Sequence, residues 1–163
     1  MKKVLILDFG GQYNLLIARR VRQSGVFCEI KSYRTPLAEI KAFSPDAVIL
    51  TGGPATVFDE GAPTIDKSVF EMGVPVLGIC YGMQLMVYTL GGDCRKADKR
   101  EYGKVLLNHV PSPLFKDVPD TSVCWMSHGV EVDSLPEGFK TTATSDYCGF
   151  CAVENEEKKL YGV

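Results

Sequence analysis

An alternation constrains this chain more than any other feature. Four short apolar runs, Val4 to Phe9, Phe27 to Ile30, Asp46 to Thr51 and Pro75 to Ile79, are separated by stretches of helical periodicity. In the first such stretch Tyr13, Ile17 and Val21 recur every four residues beside Leu16, while Arg19, Arg20 and Arg22 lie largely elsewhere and Gly25 stops the pattern. Further helices are expected over Leu37 to Phe43, where Pro36 sits near the start, over Ile65 to Met72, and over Met83 to Leu90. Val4 to Phe9 is broken only by Asp8, which suits a strand buried on both faces. Strand, helix, strand, helix at this spacing means parallel strands joined by crossovers.

After Gly91-Gly92 the texture changes. Val105 to Val110, Ser122 to Met126, Lys140 to Thr144 and Ala152 to Glu154 read as shorter strands between Pro and Gly turns. The expected architecture is therefore α/β: a mostly parallel central sheet flanked by helices, with an antiparallel extension. At 163 residues the chain has the size of one domain, spanning 1–163, and it shows no internal repeat.

Composition narrows the partners. A net charge of −2 with scattered Lys and Arg offers no nucleic-acid groove, and the one basic cluster, Arg95 to Lys104, reads as a solvated surface turn. The Lys2-Lys3 start is followed by only Val4 to Leu7 before Asp8, too short for a signal-peptide core, and no run is long enough to span a membrane. Without a secretory signal the six cysteines read as reduced thiols, and the expected compartment is cytoplasmic.

In parallel α/β sheets the active crevice lies beyond the carboxyl ends of the strands. Three glycine turns fall there: Gly10-Gly11, Gly52-Gly53 and Gly78-Ile-Cys80-Tyr-Gly82. The last has the form G-x-C-x-G, the cysteine counterpart of the nucleophile elbow. Glycines beside the nucleophile remove Cβ atoms that would clash as the strand turns into the helix. The helix N-terminus then offers unpaired N–H groups that favour thiolate. The alternative reading of Cys80 is a packing cysteine in a core strand. Gly52-Gly53-Pro54 is either a plain turn or, with the N–H of Tyr81, a pair of donors for the oxyanion of acyl transfer.

Other motifs point away from chemistry. Cys148-Gly-Phe-Cys151 lacks a second pair, a nearby His and a thioredoxin-like helix start, so neither zinc nor redox chemistry is expected of it. Of the two histidines, His128 ends a strand and lines the site, and His109 reads as a surface strand residue. Gly10-Gly11 lacks the third glycine of a dinucleotide fingerprint.

Together these segments resemble the class I (triad) glutamine amidotransferases, whose fold is flavodoxin-like. The matching segments are Leu7-Asp-Phe-Gly-Gly-Gln-Tyr13, Ile17-Ala-Arg-Arg-Val21, Thr51-Gly-Gly-Pro54, Gly78-Ile-Cys-Tyr-Gly-Met-Gln84, Lys99-Arg-Glu-Tyr-Gly103 and Trp125-Met-Ser-His-Gly129, in family order across essentially the whole chain. The elbow is common to the class. The opening segment, Arg100 to Gly103 and Trp125 to Gly129 resemble the branch whose ammonia aminates xanthosine monophosphate (XMP) to GMP.

The resemblance implies a role for each matching residue. Cys80 attacks the side-chain amide of glutamine, releasing ammonia and leaving a thioester for water. Gly53 and Tyr81 donate the oxyanion N–H groups. Gly52, Gln84 and the stretch Ser127, His128, Gly129 and Val130 hold glutamine. It implies no cofactor and no metal in this domain, and a partner ATP-pyrophosphatase synthetase domain or subunit that binds ATP and Mg. The runner-up readings are the amidotransferase part of anthranilate or carbamoyl-phosphate synthesis, and a non-catalytic glutamine-binding module.

Two departures stand out. Val130 occupies a position where the family has Asp. The family's catalytic His and Glu lie in a Gln-Phe-His-Pro-Glu segment directly after a Leu-Tyr-Gly-Val strand, and this sequence closes with Leu160-Tyr-Gly-Val163. The resemblance therefore implies a C-terminally truncated domain that is inactive alone.

Overall fold

The computed structural model describes residues 2–163, with residues 98–101 described by their backbone alone. The side chains of Lys99 to Glu101, part of one matching segment and of the basic cluster, lie outside the described residues.

The alternation folds as expected. Strands β1 (Lys3–Asp8), β2 (Phe27–Ser32), β3 (Ala47–Leu50) and β4 (Val76–Gly78) are parallel, and helices α1 (Asn14–Gln23), α2 (Leu37–Phe43) and α3 (Tyr81–Thr89) follow β1, β2 and β4. The expected helix over Ile65 to Met72 is instead one short 3₁₀ stretch, Lys67–Glu71, started by the Asp66 side chain accepting from the Ser68 N–H.

The remaining strands are β5 (Asp93–His109), β6 (Thr121–Ser134), β7 (Lys140–Thr144), β8 (Ala152–Asn155) and β9 (Leu160–Gly162). All nine form one sheet in the order β2-β1-β3-β4-β9-β8-β7-β5-β6. Because β9 is parallel to β4, the first five strands of that order make a flavodoxin-like parallel half. The other four make the antiparallel extension.

Both faces of the parallel half are covered, and β1 shows how. Leu5 and Leu7 enter the main core with Val48, Leu50, Val76, Leu85 and Met86, while Ile6 between them enters a second cluster with Ala18 and Cys28. That period of two is what a doubly covered strand requires. On α1, Ile17 and Val21 pack against the second cluster as their spacing implies. Tyr13 and Leu16 do not, and both are exposed. Tyr13 precedes the first helical residue, so it falls outside the helix whose period it shares in sequence.

The extension departs further from expectation. β5 and β6 are long strands forming one hairpin, not short ones. Arg95 lies within β5, where its guanidinium binds Glu131 at 2.9 Å and Asp133 at 3.0 Å across the hairpin. That start of the basic cluster is a cross-strand ion pair, not a surface turn. His109 is buried, stacked on Phe115 with a ring nitrogen donating to the Pro119 carbonyl, and is not a surface residue. Cys148 and Cys151 are buried with Leu107, Ala143 and Ala152 in a small apolar cluster, and the Cys151 thiol donates to the Cys148 carbonyl at 3.5 Å. Among the described residues no helix is long and apolar enough to cross a membrane.

Candidate active site

The three glycine turns meet. A Cβ built on Gly11 would stand 2.5 Å from the Gly52 carbonyl oxygen, and one on Gly53 would overlap the Phe9 carbonyl oxygen. One on Gly52 would touch Cys80 Cβ at 3.6 Å. Thr51 ties two of the turns together: buried at the end of β3, it accepts from the Phe9 N–H through Oγ1 and donates to the Gly52 carbonyl, each at 3.1 Å. Asp8 braces the first turn by accepting from the Gly10 N–H at 2.6 Å and from the Asn14 amide. Neither residue was singled out from sequence. The available signal was a polar residue closing an apolar run just before a glycine pair.

Cys80 caps α3 with φ 52° and ψ −109°, a conformation that strains any residue with a Cβ. The neighbouring contacts explain why the chain tolerates it. The Cys80 N–H donates to the Val163 carbonyl at 2.7 Å, and the Val163 N–H returns to Gly78 at 3.0 Å. The Ile79 N–H donates to Leu50 at 2.9 Å, and the Gln84 N–H opens the helix on the Cys80 carbonyl at 3.1 Å. Gly78 and Gly82 touch across the turn: a Cβ on Gly78 would lie 2.6 Å from the backbone of Gly82 and Met83. The elbow is thus held from β3, β9 and α3 at once, with a half-buried thiol at its apex.

Tyr81 is fully buried. Its hydroxyl donates to the Pro63 carbonyl at 2.6 Å and its ring lies 5.6 Å from that of Phe9, so it anchors the loop after β3 over the elbow. The Tyr81 N–H is directed at the Cys80 sulfur. Among the described residues no protein group accepts from the Gly53 N–H. Of the two donors expected from sequence, the Tyr81 N–H faces the thiol, and the Gly53 N–H belongs to the turn whose Gly52 adjoins Cys80.

Gln84, one turn along α3, is buried and donates from Nε2 to the Val130 carbonyl at 3.0 Å. This bond brings together the two sides of the expected glutamine pocket. Val130 itself packs its side chain on the main core, so only its backbone is offered to Gln84. Ser127, His128 and Gly129 precede it on β6. His128 lies mid-strand rather than at a strand end. Among the described residues no histidine or cation contributes to the Cys80 thiol.

Burial opposes the helix N-terminus at Cys80. Burial raises the Cys80 pKa above its ordinary 9.0, and the Tyr81 N–H offsets this only in part. The helix N-terminus alone does not make a thiolate here. Alkylation of Cys80 in the 163-residue polypeptide, followed by peptide mapping, is accordingly expected to accelerate about tenfold per pH unit from pH 7 to 9. A rate already level below pH 8 would show a stabilised thiolate and contradict this. Cys148 behaves oppositely: the Cys151 thiol beside it lowers its pKa, against the effect of burial.

Two other groups near the elbow set an alkaline limit. Burial, and then the carboxylates of Asp93 and Asp133, push the Cys94 thiol up to about 12. Burial, and then Tyr33, push the Tyr81 hydroxyl up to about 12. Unfolded, such groups lose their protons from roughly pH 8.5 to 10. Above that range the folded state holds protons that the unfolded chain has released, so stability must fall as pH rises towards 12. Urea midpoints are expected to be level from pH 7 to 8.5 and to drop steadily from pH 9 to 11. A level midpoint through pH 11 would refute the assignment.

Comparison with known proteins decides the family. Residues 5–163 match the glutamine amidotransferase class-I family. The chain belongs to that family. Among its curated relatives, a GMP synthase (glutamine-hydrolysing) of Caldicellulosiruptor saccharolyticus is 54% identical over 161 residues, covering 98% of this chain and 32% of the relative. One of Clostridium novyi is 55% identical over 161 residues, covering 98% and 31%. The chain thus spans about a third of the length of these relatives. Among solved structures, one from Thermoplasma acidophilum, assigned as part of a GMP synthase, superposes with a TM-score of 0.90 at 26% identity, covering all of this chain and 82% of that one. A glutamine amidotransferase of Thermotoga maritima, at 21% identity and a TM-score of 0.77, shares the fold over 99% of this class-I chain and 74% of its own.

Proposed function

We propose that this class-I domain is the glutaminase part of a GMP synthase. The observation that carries the proposal is the strained Cys80 elbow with the Tyr81 N–H at its sulfur and the Gly52 turn against it, on a chain 54–55% identical to proteins of that name. Cys80 Sγ, as thiolate, attacks the side-chain amide carbon of glutamine. The carbonyl oxygen becomes an oxyanion held by the Gly53 and Tyr81 N–H groups. The C–N bond breaks, the nitrogen takes a proton and leaves as ammonia, and water hydrolyses the glutamyl thioester to glutamate. Gly52, Gln84 and the backbone from Ser127 through His128 and Gly129 to Val130 hold the amino-acid end of the substrate.

Proton delivery needs a base that the described residues do not place at Cys80. The resemblance supplies it as a His and a Glu that follow the Leu-Tyr-Gly-Val strand. Here that strand is β9, and Val163 just after it accepts from the Cys80 N–H. The ammonia then serves a synthetase part that binds ATP and Mg and aminates XMP.

The test replaces the matched region of the C. novyi GMP synthase with this chain and supplies glutamine, XMP, ATP and Mg. Glutamine-dependent GMP is the expected product. GMP from added ammonium chloride but none from glutamine would refute the reading.

A further inference from the structure

One face of the β5–β6 hairpin is apolar and open. Side chains alternate along each strand, so Tyr102, Lys104, Leu106 and Asn108 share a face with Thr121, Val123, Trp125 and Ser127. On it Tyr102 is 63% exposed, Leu106 50%, Val123 65% and Trp125 73%. Leu106 stands directly opposite Val123, Lys104 opposite Trp125 and Tyr102 opposite Ser127. The four large side chains are therefore neighbours, not scattered singles. The opposite face carries Cys124, Met126, Val130 and Val132 into the two cores, so the hairpin's inner side is already satisfied. Contiguous exposed aromatics on a rigid sheet are uncommon in a surface that stays in water, and Trp and Tyr dominate the centres of interfaces.

We propose that this face is the docking surface for the synthetase part of the enzyme, with Trp125 as its anchor; the proposal rests on the GMP synthase reading above. Three observations select that occupant. The relatives are about three times as long as this chain, so each carries a further region, which in the reading above receives the ammonia. The patch shares a strand with the expected glutamine site: β6, which bears Trp125 and Ser127 on this face, runs on to Val130, whose carbonyl accepts from Gln84. A partner seated on Trp125 therefore holds the strand that also reaches the ammonia source.

The charge pattern disfavours a second copy of this chain. Lys104 is the one charged side chain among the eight residues of the face. A self-complementary interface would bring two lysines into one apolar patch without a counter-charge. The partner's matching surface is accordingly apolar, with a carboxylate positioned for Lys104.

The test uses the C. novyi chimera of the preceding section, with ammonium-dependent GMP formation certifying that the synthetase part is folded. Hydroxyl-radical footprinting read by mass spectrometry at Trp125 compares the chimera with the 163-residue chain alone. Trp125 is expected to be oxidised at least about fivefold more slowly in the chimera. Trp125→Ser and Lys104→Glu are expected to lower glutamine-dependent GMP formation by roughly tenfold or more, the loss of a hot spot. Ammonium-dependent synthesis and ammonia release from glutamine stay unchanged, so that ammonia escapes uncoupled.

If wild-type chimera makes GMP from glutamine while Trp125 stays accessible and both variants remain coupled, the docking surface is wrong and the functional reading survives. If the chain alone protects Trp125 as its concentration rises, the occupant is a second copy and the proposal falls. If the wild-type chimera makes GMP only from ammonium, the functional reading itself fails.

Discussion

Cys80→Ala abolishes glutamine-dependent GMP formation in the chimera, by at least about 10⁴-fold, and leaves synthesis from ammonium within twofold of wild type. The magnitude follows from losing the nucleophile of a covalent mechanism, where removal of a single attacking group has cost on the order of 10⁶ in rate. The selectivity follows from the geometry. Alanine keeps the Cβ, so the strained turn at φ 52° loses only the sulfur. The bonds that seat the elbow on Val163, Leu50 and Gln84 all run through backbone atoms and remain. Nothing in the change touches the exposed hairpin face. Steady-state GMP formation with each nitrogen source is the measurement. Equal loss with both sources, in a variant whose urea midpoint is unchanged, would make Cys80 structural and remove it from the chemistry.

The first four strands of the parallel half and helices α1, α2 and α3 were legible because their signals are local. An apolar run closed by a glycine pair and followed by a period near four specifies strand, turn and helix within about fifteen residues. Each of the three glycine turns shows the same physics, in that a Cβ would strike a backbone atom across the turn or the neighbouring thiol carbon. The strained elbow at Cys80 was legible for that reason.

In the antiparallel half β7 and β8 were legible as short runs between turns, but the extent of the β5–β6 hairpin was not, because its charged start is held by partners distant in sequence. Asp93 to Lys104 carries too many charges to read as a strand. The charges are accommodated because Arg95 pairs with Glu131 and Asp133 on a strand almost forty residues away. His109 looked like a surface residue until the chain around Phe115 and Pro119 folded over it. The cause of the weak acidity of the Cys80 thiol was only partly visible, for a related reason. A helix N-terminus is visible in sequence, but the depth at which the fold buries the sulfur is not, and burial is the larger effect here.

The second large effect is expected at Gly82. By propensity alone Gly82→Ala should help, since alanine within a helix is favoured over glycine by about 1 kcal/mol. The contact at this position reverses the sign. A Cβ on Gly82 would overlap the Leu50 carbonyl oxygen and lie 2.7 Å from Leu50 Cβ and 2.8 Å from the Leu50 carbonyl carbon. These atoms cannot turn aside as a side-chain tip can, for Leu50 is wholly buried and its carbonyl accepts the Ile79 N–H that starts the elbow. To admit the methyl group, α3 must lift off β3, which pulls on Cys80 and separates it from the Gly52 turn. Overpacking that moves backbone costs roughly 1–3 kcal/mol or more, which outweighs the propensity gain. The net expectation is a destabilisation of about 2 kcal/mol in urea unfolding, with alkylation of Cys80 altered in the same variant because the thiol has moved. Gly91→Ala serves as the control, since a Cβ there meets nothing within 4 Å and its cost comes only from the positive φ of 100°. That control should lose stability while Cys80 reacts as in wild type. A Gly82→Ala variant as stable as the parent, with Cys80 reacting at the parent rate, would show that the helix does not rest on β3 through this glycine.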